Sequence, residues 1–183
     1  MRRAIKGTAV LLLVLVAYGA EAHRLDEVVQ GAYLTLAPGE VRLELDVSPG
    51  MEVAGTLLRA LDTDADRTIT EAEARGYAQR VLAQSTLTLD GVALSWTLDK
   101  VVVPAYPNLE LGSDTIRIHA VAKRSDDAGA HTLTYQNSYQ PAAGRHMANV
   151  FLRSGERWQY RVTKQQRTDD GRQLIVTYTV TRR

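Results

Sequence analysis

The chain has 183 residues, a formal net charge of +1 and no cysteine. The missing cysteine excludes disulfide staples, thiolate catalysis, Fe–S clusters and cysteine-ligated zinc, so stability must come from the core or from a metal held by other ligands. A near-neutral balance, with no basic stripe interleaved with aromatics, gives no electrostatic case for nucleic acid.

The first predicted element is a secretory signal peptide over 1–22. Arg2, Arg3 and Lys6 form a basic start, 9–17 is an apolar core, and Ala20-Glu21-Ala22 supplies the small-x-small cleavage pattern. The apolar run is shorter than the roughly 20 residues a membrane-spanning helix needs. Cleavage between Ala22 and His23 predicts a periplasmic or secreted product. The leader carries three bases and one acid, which leaves the mature chain at −1. No second apolar run of membrane length follows, so that product is expected to be soluble.

His23 then becomes the first residue. Its free amine and imidazole could chelate a metal together, with copper(II) favoured by the usual affinity order. A second histidine would have to come from His119, His131 or His146, the only others in the chain. None of them shows ligand spacing in sequence.

The rest reads mostly as strands. A strand is expected over 27–36, a turn at Pro38-Gly39, and a half-buried strand over 41–47, where Val41, Leu43, Leu45 and Val47 alternate with Arg42, Glu44 and Asp46. Pro49-Gly50 ends it. Further strands are predicted over 86–89 and 92–98, joined by the hairpin signal Asp90-Gly91. Others follow at 101–103, 115–122, 131–137, 147–153, 157–167 and 172–182, with loops at 104–112 and 141–144. Short strands at this spacing predict a mainly β fold of α+β class. The expected architecture is one antiparallel β-sandwich over 23–183 with a helix–loop–helix inserted at 51–85.

That insertion is the one stretch that announces chemistry. Asp62, Asp64, Asp66 and Glu73 occupy positions 1, 3, 5 and 12 of a twelve-residue loop. Thr68 falls at position 7, where a backbone carbonyl ligates, and Thr70 at position 9, where a hydroxyl or bridging water serves. Ile69 is the apolar plug. Ala54, Leu57, Leu58 and Leu61 before the loop share one helical face, as do Ala74, Tyr77, Ala78 and Val81 after it. Thr70 and Glu73 form a capping box for the second helix. The loop thereby resembles the EF-hand family, which implies bound Ca2+ with Asp62, Asp64, Asp66, Thr68, Thr70 and Glu73 as ligands. Position 6 is Arg67, where EF-hands have glycine; a left-handed non-glycine there costs roughly 1 kcal/mol.

Other features point less far. No G-x-S-x-G, Walker loop or G-x-G-x-x-G is present. Asp126-Asp127 and Asp169-Asp170 read as turn residues. Trp96, Trp158 and Tyr160 read as core or cross-strand packing, and Tyr106, Tyr135 and Tyr139 as residues that could line a groove. The segments Ala22-His23-Arg24-Leu25-Asp26-Glu27, Tyr33-Leu34-Thr35-Leu36 and Thr132-Leu133-Thr134-Tyr135-Gln136-Asn137 resemble the exported N-terminal region of HupE/UreJ-type bacterial membrane proteins, a group associated with nickel or cobalt handling. That resemblance bears on compartment and fold, and a further expectation is a partner subunit for a membrane protein encoded elsewhere. The expected function is an exported, non-enzymatic, calcium-binding structural or partner-binding protein. The alternative is a copper or nickel binding protein, or a copper oxidoreductase, built on His23.

Overall fold

The computed structural model describes residues 25–183. The predicted leader and His23 lie outside the described residues. Ten strands form two five-stranded sheets. The first sheet has the order β5-β6-β2-β1-β8, from β1 (Val28–Ala37), β2 (Glu40–Pro49), β5 (Thr97–Val102), β6 (Ile116–Lys123) and β8 (Gly144–Leu152). The second has the order β4-β3-β7-β10-β9, from β3 (Ser85–Leu89), β4 (Val92–Leu94), β7 (Gly129–Asn137), β9 (Trp158–Arg167) and β10 (Gln173–Arg182).

Period-two patterning sets which side chains meet. In β2, Val41, Leu43, Leu45 and Val47 are almost wholly buried while Arg42, Glu44 and Asp46 face outward. Leu34 and Leu36 of β1, Ile116, Ile118 and Ala120 of β6, and Leu174, Val176, Tyr178 and Val180 of β10 fill the same core. The β-rich α+β fold with an inserted helix pair is as expected, but three local readings are corrected.

The sandwich is not wholly antiparallel, because β8 pairs with β1 in parallel. The chain leaves β7 in the second sheet and enters the first sheet's free edge running alongside β1. The expected strand over 92–98 is two strands. β4 pairs with β3 in one sheet and β5 with β6 in the other, so the chain changes sheets at Ser95 and Trp96. The expected loop at 104–112 contains a short helix, α3 (Tyr106–Glu110), with Pro107 in its first turn; proline's fixed φ and missing N–H suit that position.

Two helices occupy the insertion, α1 (Ala54–Leu61) and α2 (Glu71–Leu82). Each buries the face read from its periodicity: Ala54, Leu57, Leu58 and Leu61 in α1, and Ala74, Tyr77, Ala78, Val81 and Leu82 in α2. Arg80 donates to the Ala60 carbonyl at 2.5 Å, so α2 satisfies an orphan acceptor in the last turn of α1. A buried polar chain docks α2 on both sheets. The Tyr77 and Tyr139 hydroxyls meet at 2.9 Å. Gln30 donates to the Tyr139 carbonyl and accepts from Asn137, each at 2.9 Å. Tyr135 and Tyr139 are therefore core residues, not groove-lining ones. Tyr106 lies beneath Arg67.

Candidate metal centre

Leu61 is fully buried, and the next residue, Asp62, closes α1 with its amide on the Leu58 carbonyl. The loop therefore leaves the core at a fixed point. It re-enters at Ile69, which packs against the core, and at Thr70, the N-cap of α2. The predicted capping box is present: Thr70 accepts from the Glu73 amide, and Glu73 accepts from the Thr70 amide.

Between these anchors the acidic side chains turn toward one another, Asp62 buried and Asp64 and Asp66 exposed. Asp62, Asp64 and Asp66 each offer a carboxylate oxygen, and these lie within 4.8 Å of one another. Backbone donors hold them there. The Asp66 amide donates to Asp62 at 3.1 Å and to Asp64 at 3.3 Å. The Arg67 amide donates to Asp62 at 2.9 Å, and the Thr68 amide to Asp66 at 2.7 Å. Ala65 and Arg67 take positive φ, 60° and 66°, which folds the loop tightly enough for the carboxylates to converge. At Arg67 this is the left-handed turn that EF-hand glycine normally supplies.

Arg67 is held from outside the loop. Its Nη2 donates to both carboxylate oxygens of Glu110, at 3.0 and 3.2 Å, and the guanidinium lies 4.8 Å from the Tyr106 ring centre. Sequence reasoning missed this clamp because the loop at 104–112 hid a helix; Pro107 was the available signal.

Electrostatics mark the cluster as short of positive charge. At Asp64 the hydrogen bond from the Asp66 amide favours the charged form. Desolvation and the charges of Asp66 and Glu73 outweigh it, and the carboxyl is pushed above its ordinary value. Glu73 behaves oppositely. Its carboxylate accepts from the Thr70 amide and hydroxyl at 3.0 and 2.8 Å, and from the Thr63 amide and hydroxyl at 2.6 and 2.9 Å. These bonds, the Thr70 amide's first, lower its pKa to about 2. The three aspartates therefore come together, while Glu73 stands outside that group and ties the loop's second residue to its ninth. Thr70 is occupied as the cap of α2.

An all-oxygen, acidic donor set of this kind suits a hard divalent cation and not a soft one. The described histidines do other work. His131 binds Asp90 at 2.7 Å and the Asp127 carbonyl at 2.9 Å. His119 lies 3.6 Å from Glu44. Burial, with the nearby Arg172 charge, pushes the His146 pKa below its ordinary value. None joins a group of three or more metal-ligating side chains among the described residues. Of the adjacent acids read as turn residues, Asp126 does more. It pairs with the buried Arg124 at 2.7 Å and accepts from the Gly39 amide at 2.6 Å and the Tyr160 hydroxyl at 2.7 Å. No protein-family model matches the chain, and no curated protein sequence matches it.

Proposed function

We propose that the loop over 62–73 binds one calcium ion, and that the protein is an exported, non-enzymatic β-sandwich whose helix pair the ion stabilises. The observation that supports this reading best is the convergence of Asp62, Asp64 and Asp66 in a loop bounded by two in-phase helices. Three carboxylates held this close repel one another, and a hard cation relieves the repulsion. Thr68 and Thr70 complete the oxygen set, and Glu73 exchanges its bonds to Thr63 for the ion. The Arg67 clamp offsets the backbone strain at position 6.

The role is structural or partner-binding. Sensing requires a helix pair that opens to expose an apolar groove, whereas here α2 is locked through Tyr77, Tyr139 and Gln30. The resemblance to exported regions of HupE/UreJ-type proteins suggests a membrane protein as the partner. Calorimetric titration of calcium into calcium-stripped protein tests the proposal. One saturable site is expected, with a dissociation constant of about 10⁻⁴ to 10⁻³ M, as in extracellular modules. Asp62→Asn and Glu73→Gln should each weaken it. Indistinguishable heats from all three proteins would contradict it.

A further inference from the structure

The outward face of the first sheet carries a groove of about 710 Å³. None of its lining residues belongs to the helices or the calcium loop. One wall is aromatic: Tyr33 of β1 and Phe151 of β8 have ring centres 6.5 Å apart, tilted by 36°. The hydroxyl end of the Tyr33 ring lies over Gly31, where a Cβ would come within 3.0–3.2 Å of its ring and hydroxyl atoms. The glycine thus seats the ring as a platform. Phe151 remains more than half exposed.

The floor is polar and alternates in sign. Register sets Tyr33 opposite Glu44, Glu44 opposite His119 and Asp46 opposite Arg117. The facing groups approach without closing on one another. Asp46 and Arg117 stand 3.8 Å apart, and Glu44 and His119 3.6 Å apart. Both distances exceed a hydrogen bond. Asp46 Oδ1 is buried and makes no hydrogen bond. Desolvation, helped by the Glu44 charge, raises the Asp46 pKa above its ordinary value. Buried acceptors without donors are costly, so a donor from a ligand is well rewarded here.

Charge narrows the ligand class. Arg42 and Arg117 disfavour a cation, while Glu44, Asp46 and Asp99 disfavour an anion. What fits is a neutral molecule with a flat C–H face for the rings and hydroxyls able both to donate and to accept. The volume falls within the range of small-molecule sites, about 300–1,000 Å³. We propose that this groove binds a neutral carbohydrate, with one sugar ring stacked on Tyr33 and Phe151 and its hydroxyls bridging Asp46 to Arg117 and Glu44 to His119.

Amide NMR titration tests this, using maltohexaose, cellohexaose and chitohexaose as probes and spermidine and citrate as charged controls. At least one oligosaccharide should shift the amides of Tyr33, Glu44, Asp46, His119 and Phe151 saturably. Tyr33→Ala and Asp46→Asn should each weaken that binding about tenfold. Phe151→Ala, at an exposed position, carries the test if Tyr33→Ala does not fold. Lys164→Ala on the other sheet should leave affinity unchanged, and chelator should not abolish it. Silence from all three sugars, a response only to spermidine or citrate, or binding that ignores the groove variants would overturn the proposal.

Discussion

Arg67 shows how contacts from outside a loop can hold a side chain on a left-handed backbone. Its φ of 66° is strained for a side chain, and its Nη2 contact to Glu110 with the stack on Tyr106 holds it there. Arg67→Ala keeps the strain and loses the anchor, so it should cost about 1 kcal/mol in chemical denaturation. Arg67→Gly should cost less, because glycine takes a positive φ freely. Glu73 belongs to the same scale. A folded-state pKa near 2 against an ordinary 4.5 means its contribution is present above pH 4.5 and lost as pH falls toward 2. In calcium-free buffer, Glu73→Gln should flatten that part of the stability profile. With calcium it should lower affinity about tenfold or more, since one carboxylate in four is removed. The convergence of Asp62, Asp64 and Asp66 was legible in sequence because their spacing within the loop is local, whereas Glu73 stays outside that group. The Arg67 clamp was not, because Glu110 is 43 residues away and no periodicity connects them.

The helices were read correctly because both faces follow a 3.6-residue period and the capping box fixes where α2 starts. Leu61 joins the core to Asp62, the first residue of the acidic loop. Leu61→Ala should cost about 2–4 kcal/mol by cavity formation, and should weaken calcium binding by loosening the loop's entry. Denaturation with and without calcium measures both effects. The β3–β4 hairpin carries a separate pH-sensitive tie. Asp90 holds the His131 imidazole, and this hydrogen bond, against some desolvation, raises the histidine pKa above 6.5. A raised folded-state pKa gives stability that is full below the unfolded value and lost as pH rises through the folded one. The protein should therefore lose stability as pH rises from about 6.5 through the raised pKa of His131. His131→Asn should remove that slope. Strand alternation predicted these strands, but not that the chain changes sheets at Ser95 and Trp96, because alternation records which face is buried and not which neighbour pairs.

At the scale of the molecule, composition and alternation determined the fold class. The parallel β1–β8 pair escaped them because pairing at a sheet edge depends on where a connection runs. With no cysteine, cohesion rests on one core shared by two sheets and three helices. An ion bound between α1 and α2 would act on that whole unit by mass action. Thermal unfolding of the protein in about 10 mM calcium, against the same protein in excess chelator, measures this directly. Calcium should raise the midpoint by the equivalent of about 1–3 kcal/mol, as expected for ligand at 10 to 100 times its dissociation constant, and Glu73→Gln should lose most of the gain. Superimposable melting curves in the two buffers would contradict calcium binding at Asp62, Asp64, Asp66 and Glu73.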